Sequence, residues 1–182
     1  MEAQAITATT WVIDPTHSEV QFKVKHLMVS TVTGSFGQYE GQLIMNGDDF
    51  EDAKINFSAD ISSISTNNEQ RDTHLKSGEF FDADQFPQLT FASTGMKKTG
   101  DDTYELSGDL SLHGVTKPVI LKAEYGGQMQ DFYGQTKAGF EVTGVIKRKE
   151  YGLTWDGVTE AGGVVVSDDV RLIMNIQVTK QA

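Results

Sequence analysis

Apolar and polar residues alternate along most of the chain, and this period of two is typical of β-strands with one buried and one solvated face. Between Glu19 and Leu27 the odd positions are polar or charged up to residue 25, and the even positions carry Val20, Phe22, Val24 and His26. The pattern therefore predicts that these four side chains point into the interior of the protein.

The same alternation recurs in later segments, at spacings that suit short strands joined by turns. The predicted inward residues are Tyr39, Gly41, Leu43 and Met45; Ile55, Phe57, Ala59 and Ile61; Leu89, Phe91 and Ser93; Leu106, Gly108, Leu110 and Leu112; Val119, Leu121, Ala123 and Tyr125; Ala138, Phe140 and Val142; and Val170, Leu172, Met174, Ile176 and Val178. The chain is therefore predicted to be an all-β protein with a long apolar interior.

Glycine-containing runs divide these segments. Residues 46–49 (Asn-Gly-Asp-Asp), residues 99–102 (Thr-Gly-Asp-Asp) and the pair Gly126-Gly127 all carry hairpin turn chemistry. Four further glycines lie inside strand-like segments, where glycine often marks a bulge or a sharp bend that a closing sheet needs. They are Gly34, Gly37, Gly41 and Gly108.

One polar segment interrupts the strands. Residues 67–76 lack β-branched runs and end just before Gly78, and Ser65, Thr66 or Asn67 can cap their start. We predict one short helix near residues 67–77, followed by a tight turn over residues 80–84. At helical spacing Arg71, His74 and Leu75 share a face, which suits either an amphiphile's head-group or simple closure of a barrel end.

The inward positions favour a barrel over a sandwich. Ala59, Gly108, Ala123 and Ala138 are small, and a barrel of about eight strands can hold one small ligand when some inward residues are small. Small inward residues also occur where the opposite wall is close, so a sandwich stays open as an alternative. The preferred fold is an antiparallel β-barrel of about eight strands.

The length and the charge of the chain limit the classes of partner that it is expected to bind. The chain has 182 residues, a formal net charge of −11, and no basic cluster longer than Lys147-Arg148-Lys149. These values fit one domain, and they argue against nucleic acid and against electrostatic binding to an anionic membrane. No apolar run approaches the roughly 20 residues of a membrane span, so stable membrane insertion is not expected. The absence of cysteine excludes disulfides and thiolate sites.

Three groups of polar side chains are candidates for chemistry. Residues 14–18 (Asp-Pro-Thr-His-Ser) combine an acid, an imidazole and a hydroxyl, but no Gly-x-Ser-x-Gly elbow presents the serine, so a backbone-capping turn is the better interpretation. His17, His26, His74 and His113 show no metal-ligand spacing. The acids at residues 48, 49, 51 and 52 do not match a calcium loop and are expected to be a solvated turn. We therefore expect no catalytic residue, metal or cofactor.

Beyond these patterns, an ordered set of motifs covers most of the chain. The motifs are Trp11-x-Ile13-Asp14-x-x-His17-Ser18, Val20-x-Phe22-x-Val24-x-His26, Val32-x-Gly34-x-Phe36 with Gly41, Ile64-x-Thr66-x-Asn68-x-x-Arg71-Asp72-x-His74-Leu75, Phe80-Phe81-Asp82, Phe86-Pro87, Thr90-Phe91-x-Ser93-Thr94, Gly108-Asp109-Leu110-Ser111-Leu112-x-Gly114-Val115-Thr116-Lys117-Pro118-Val119 and Arg148-x-x-Tyr151-Gly152. Taken together, this set resembles the YceI-like family of bacterial lipid-binding proteins.

The resemblance implies a lipocalin-like barrel with an apolar tunnel for a polyisoprenoid or another long-chain amphiphile, often a quinone-type or prenyl-phosphate lipid. The residues expected to bind the ligand are Phe22, Val24, His26, Leu43, Phe57, Arg71, His74, Leu75, Phe81, Phe91, Leu110 and Phe140. It also implies export to the periplasm and a possible homodimer. Because the printed N-terminus is acidic and lacks an apolar stretch, we expect the protein to be periplasmic if a signal peptide has been removed and cytoplasmic otherwise.

Residues 1–10 are expected to form a flexible segment before a single domain over residues 11–182. Within that domain, a carrier, store or sequestering protein for an isoprenoid-type lipid is the leading hypothesis. An enzyme that acts on a lipid head-group through His17, His26 or His74 is the alternative, and it requires two of these side chains close together. A third hypothesis is an interaction module whose barrel is filled by its own side chains.

Overall fold

The computed structural model describes residues 8–47, 49–155 and 166–181. The strands are β1 (Ala8–Ile13), β2 (Glu19–His26), β3 (Ser30–Phe36), β4 (Tyr39–Asn46), β5 (Lys54–Asp60), β6 (Ile64–Ser65), β7 (Gln88–Lys98), β8 (Thr103–Leu112), β9 (Val115–Gln130), β10 (Thr136–Lys147) and β11 (Val166–Lys180). Helix α1 covers Glu69–Lys76, and short 3-10 turns cover Pro15–His17, Ile61–Ser63 and Arg148–Tyr151.

These strands close into an antiparallel barrel. Along the sheet the order is β1-β4-β5-β7-β8-β9-β10-β11, and β1 pairs again with β11. Beyond this ring, β11 also pairs with β2, β2 pairs with β3, and β3 pairs with β6. Consecutive strands therefore occupy the same position in the ring: β1 and β2 act as one bent strand, as do β3 and β4, and β5 and β6. The ring therefore has eight strand positions, which confirms the predicted barrel and removes the sandwich alternative.

The inward faces follow the alternation predicted from the sequence. Leu106, Leu110 and Leu112 of β8 are buried, and the alternate residues Ser107, Asp109 and Ser111 are more exposed. By contrast, several inward residues of β2 and β11, such as Phe22 and Leu172, are only partly buried although they pack against the core. Partial exposure of inward apolar residues indicates that the interior is not completely filled by side chains.

Two of the strand glycines make room for aromatic rings. Gly34 lies directly opposite Phe22 in the β2–β3 pair, and a Cβ atom at Gly34 would overlap the Phe22 ring. Gly108 is covered in the same way by the ring of Phe91. The β2–β3 register runs through Gly34 without a shift, whereas the β7–β8 register shifts between Ser93, the partner of Gly108, and Gly95. A bulge therefore lies beside Gly108 but not beside Gly34.

Gly126-Gly127 is also not a hairpin turn. Both residues lie within β9, and the β9–β10 register shifts between Gly139 and Phe140, with Tyr125 opposite Phe140 and Gly127 opposite Gly139. Gly126 is thus the extra residue of a bulge, and Gly127 adopts a φ of 109°. The hairpin signal was misleading because bulges and hairpin turns favour glycine for the same backbone reason.

The termini of the barrel and the helix lie close to the predicted positions. Strand β1 begins at Ala8, and Ala8 to Thr10 pair with β4, so the paired structure starts before residue 11. Residues 1–7 lie outside the described part of the chain. Helix α1 is capped by Asn68, whose side-chain oxygen accepts a hydrogen bond from the Arg71 N–H at 3.0 Å. The cap is therefore one residue later than the latest expected position, Asn67.

The two ends of the barrel differ. At one, called here the helix end, lie α1, the β2–β3 turn (residues 27–29), the β8–β9 turn (residues 113–114) and residues 148–155. At the other, called here the plugged end, lie the β4–β5, β7–β8 and β9–β10 connections (residues 47–53, 99–102 and 131–135).

Candidate functional site

The barrel encloses a cavity of about 330 Å³ whose walls are almost entirely apolar. Every strand position contributes side chains to it, and α1 contributes Arg71, His74 and Leu75. An engineered protein cavity of about 150 Å³ holds benzene, so this cavity has room for roughly a dozen carbon atoms on the same scale. The hypothesis of an interior filled by its own side chains is therefore not supported.

All twelve residues that the sequence analysis assigned to the ligand line this cavity. Their common feature is an inward position on a strand, on α1 or on the segment after it, and they are Phe22, Val24, His26, Leu43, Phe57, Arg71, His74, Leu75, Phe81, Phe91, Leu110 and Phe140. The structure brings them together around one space. Their contact with a ligand stays a prediction.

The plugged end is closed by one aromatic side chain from the β4–β5 connection. Phe50 is 3% exposed, and its ring centroid lies 4.9 Å from that of Phe140, 5.2 Å from that of Tyr125 and 5.8 Å from that of Trp11. Such tilted and edge-to-face pairs add stability beyond the buried area itself. Phe50 therefore forms an apolar floor below the cavity-lining Phe140.

Hydrogen bonds attach the Phe50 segment to the barrel wall. The Tyr104 hydroxyl donates to Asp49 Oδ1 at 2.9 Å, and the Lys98 N–H donates to Glu51 Oε2 at 2.9 Å. Burial, followed by the bond to Asp49, raises the pKa of Tyr104 to about 12. The Glu51 N–H and then the Tyr104 hydroxyl hold the pKa of Asp49 below its usual value. These acids thus fix a structural turn; Asp48 lies outside the described residues.

At the helix end, polar side chains reach the cavity. Arg71 donates from Nε to Thr66 Oγ1 at 2.7 Å and from Nη2 to the Thr66 carbonyl oxygen at 2.8 Å. Asp72 Oδ1 accepts hydrogen bonds from the Thr66 N–H at 2.8 Å and the Thr66 hydroxyl at 2.6 Å. Within the described residues Arg71 forms no ion pair. The remaining guanidinium hydrogens are available beside the cavity.

His74 stands next to Arg71 with an aromatic partner. Its Nε2 lies 2.9 Å from Glu79 Oε2, and its ring packs edge-on against Trp155 at a centroid distance of 4.8 Å. His74 and Trp155 are both only partly buried, unlike Phe50 at the plugged end. The helix end is therefore the more accessible entrance to the cavity.

Arg148 is a cavity-lining residue that the sequence analysis did not assign to the site. It is 2% exposed and donates to the carbonyl oxygens of Leu153 (2.6 Å), Trp155 (2.7 Å), Ser167 (2.9 Å) and Val166 (3.0 Å). The guanidinium carbon also lies 5.9 Å from the Phe80 ring centroid. Arg148 thus holds residues 153–155 against the start of β11 and positions Trp155 at the entrance.

No arrangement of nucleophile and base accompanies these side chains in the described residues. Asp14 caps a 3-10 turn and contacts His17 at 2.9 Å and Lys137 at 3.3 Å, while the Ser18 hydroxyl accepts from the Gln177 N–H at 2.9 Å. This confirms the capping interpretation of residues 14–18. His113 contacts the Tyr151 carbonyl oxygen, and no hydrogen bond joins two histidines in the described ranges.

Among the described residues, no three His, Asp or Glu side chains gather in a way that could hold a metal ion. Likewise, none of the helices in the described ranges combines the length and the apolar character that crossing a membrane requires.

Comparison with known proteins identifies relatives over most of the chain. The model of the YceI-like domain family matches residues 11–178. A UPF0312 protein of Pectobacterium atrosepticum is 39% identical over 165 residues, which cover 91% of this chain and 82% of the relative. The solved YceI protein of Campylobacter jejuni is 29% identical, with a TM-score of 0.72 over 88% of this chain and 91% of that one.

A polyisoprenoid binding domain from Saccharophagus degradans shares the fold. It superimposes with a TM-score of 0.70 over 97% of this chain and 100% of that chain, at 17% sequence identity. At that identity the likeness extends to the fold alone.

Proposed function

Since the chain belongs to the YceI-like family, we propose that it binds a long-chain isoprenoid-type lipid, a polyprenyl quinone or a prenyl phosphate, and carries, stores or sequesters it. The observation that supports this proposal is the apolar cavity of about 330 Å³ inside the barrel. The polyisoprenoid-binding neighbour with the same fold supports the choice of ligand class.

Burial of hydrocarbon supplies the driving force. Each buried methylene is worth about 0.8 kcal/mol, so one five-carbon prenyl unit gains about 3–4 kcal/mol before the costs of immobilisation. On the benzene scale the cavity takes two to three such units. A longer chain needs additional room, so side chains at the entrance are also expected to contact it.

The polar groups suggest how the ligand is oriented. Phe50 closes the plugged end with apolar rings, whereas Arg71 and His74 lie at the helix end. A lipid with its tail towards Phe50 and its head-group near Arg71 avoids burial of a polar group in an apolar space. Arg71 Nη1 donates no hydrogen bond within the described residues, and a guanidinium is well suited to a phosphate or a quinone oxygen.

Native mass spectrometry and lipid extraction of the purified protein test the proposal. We expect the protein to retain a prenyl lipid from the expression host, or to take up a polyprenyl quinone after delipidation. A soluble short-chain quinone without the tail is the matched control, because it presents the same head-group but little hydrocarbon. A protein that is free of lipid and cannot be loaded would contradict the proposal.

In this proposal the protein is a binding protein, with no catalytic step and no cofactor besides the bound lipid. We also propose a periplasmic location and leave the homodimer as a prediction. Cell fractionation of a strain that expresses the complete gene tests the first, and sedimentation velocity of the purified protein tests the second.

A further inference from the structure

The turn between β2 and β3 is apolar and exposed. Leu27, Met28 and Val29 are 41%, 63% and 83% exposed, and the Val29 N–H donates to the His26 carbonyl oxygen at 3.2 Å. Leu27 and Met28 occupy the central turn positions with φ values of 52° and 60°. Glycine, asparagine and aspartate are strongly preferred at such positions, and leucine and methionine are disfavoured there by the backbone conformation.

A second hairpin at the plugged end provides the contrast. Phe132 and Tyr133 are also fully or almost fully exposed, at 106% and 90%. That turn has ordinary turn chemistry, because Asp131 Oδ1 accepts from the Tyr133 and Gln135 N–H groups and Gly134 has a φ of 78°. Exposed apolar side chains thus occur at both ends, but only at the helix end do they replace the residues that the turn prefers.

The apolar turn continues directly into the cavity wall. His26, which opens the turn, lines the cavity together with Val24 and with Val32 of β3. Strand β3 pairs with β6 only at Ser35 and Phe36, so residues 30–34 have no second strand partner in the described part of the chain. The β2–β3 hairpin therefore projects beyond the closed barrel beside the entrance.

Positive charge lies on the outward face of this hairpin. Lys23 and Lys25 alternate with the inward Phe22 and Val24 along β2, and Lys25 is exposed although it also borders the cavity. Arg171 of β11 is the register partner of Lys23. Within the described residues these three cations form no ion pair, while Asp169 in the neighbouring row is paired with Lys147 at 2.7 Å. The chain as a whole carries −11, so this face is locally opposite in sign to the rest.

We propose that the β2–β3 turn docks on a lipid bilayer surface and brings the cavity entrance to the membrane for lipid exchange. The apolar turn enters the interface, and the cations on its outward face meet lipid phosphates. A bilayer is favoured over a protein partner because the apolar turn is continuous with an apolar cavity, so a hydrocarbon chain could pass between them without crossing water. This proposal rests on the proposed lipid-binding function.

The test uses the double variant L27N/M28G, which restores residues preferred at positive φ. Because that change suits the backbone, we expect thermal stability equal to or above that of the wild type. We expect an about tenfold fall in affinity for vesicles of phosphatidylcholine with phosphatidylglycerol, equal to about 1.4 kcal/mol, measured by flotation. Transfer of a polyprenyl quinone from donor to acceptor vesicles should slow by a similar factor. F132S/Y133S, at the plugged end, is the matched control and should behave as wild type.

The outcomes separate docking from lipid binding. Loading with the quinone from detergent micelles tests binding alone, and we expect L27N/M28G to load like the wild type. Flotation of lipid-free protein tests docking alone. Wild-type protein that loads but does not float, or a variant that transfers quinone at the wild-type rate, would overturn the docking proposal. A wild-type dimer that L27N/M28G converts to monomer, without flotation of either, would also overturn it and assign the turn to self-association.

Discussion

The barrel has two ends, and they are closed by different means. At the plugged end, Phe50 packs against three aromatic rings and is almost completely buried. At the helix end, the polar helix α1 lies across the opening, none of its residues is fully buried, and Arg71 and His74 reach the cavity from it. An apolar plug excludes water and stabilises the fold, whereas a polar cover leaves a path to the interior.

Because of this difference, we expect residues at the plugged end to determine mainly the stability of the fold and residues at the helix end to determine mainly lipid binding. Substitutions at the plugged end should mainly change the free energy of unfolding. Substitutions in the cavity should change both stability and lipid binding, and substitutions at the helix end should mainly change binding.

Phe50→Ala is expected to have the largest effect. Loss of a fully buried phenylalanine typically costs about 3–5 kcal/mol, and here it also removes the shared partner of Trp11, Tyr125 and Phe140. Urea unfolding gives the change in the free energy of unfolding. Phe132→Ala, in the exposed β9–β10 turn, is the control and should stay within about 0.5 kcal/mol of the wild type. Equal stability of the two variants would mean that Phe50 is not the plug.

Phe22→Asp should affect both stability and binding. Phe22 lines the cavity opposite Gly34, so a carboxylate there lies in an apolar space without a cationic partner. An unpaired neutral polar group costs about 1–3 kcal/mol in protein mutational data, and an ionised carboxylate costs more. A charged lining should also expel a prenyl chain. Phe22→Leu is the apolar control and should keep most lipid. Full lipid retention by Phe22→Asp would show that the ligand does not contact this side chain.

Arg71→Ala should change binding more than stability. Loss of a hydrogen bond to a charged group costs about 1.5–3 kcal/mol, so we expect prenyl phosphate affinity to fall at least tenfold while a neutral quinone of equal tail length is less affected. Titration of both lipids into delipidated protein measures the two affinities.

The control for Arg71→Ala must account for the hydrogen bonds from Arg71 to Thr66. Arg71 also holds Thr66, and Asp72→Asn weakens the same Thr66 contacts without removal of the cation. Equal loss of affinity for phosphate and quinone in Arg71→Ala, or the same pattern in Asp72→Asn, would assign Arg71 to the placement of α1 rather than to the head-group.

Much of the barrel and its lining could be predicted from the sequence because strand alternation is a local property. A period of two determines which residues share a face, and the eight strand residues among the twelve all line the cavity, including Phe22, Leu110 and Phe140. The short helix was also recognisable, since a polar run with a capping residue contrasts with the strands on either side. These features require no knowledge of which strand pairs with which.

Features that depend on distant contacts could not be predicted in the same way. Phe50 is a single aromatic residue in an acidic connection, and nothing local shows that three rings meet it. Arg148 lies in a charged run that normally indicates a solvated surface, yet it is buried because four carbonyl oxygens surround it. The apolar turn at Leu27 and Met28 carries no turn signal at all, which is why its exposure at the entrance emerged only from the structure.

The smallest expected effect concerns pH and the plugged end. The pKa of Asp49 is lowered in the folded protein, chiefly by the Glu51 N–H and then by the Tyr104 hydroxyl. A carboxyl with a lowered folded-state pKa contributes stability above its unfolded value of 3.8, and that contribution is lost as pH falls through the folded value. Because the side chain is 51% exposed, screening by solvent should limit the contribution to about 0.5 kcal/mol.

Asp49→Asn should therefore be slightly less stable than the wild type at neutral pH. The difference should shrink as the pH falls below 3.8 and should disappear once the pH passes the lower folded-state pKa of Asp49. Urea unfolding at a series of pH values measures this difference. Asp109→Asn, on the exposed face of β8, is a suitable control because its carboxylate forms no hydrogen bond within the described residues. A difference that grows as the pH falls would mean that the Asp49 carboxylate destabilises the attachment of Phe50 to the barrel wall, the reverse of the role that its bond to Tyr104 indicates.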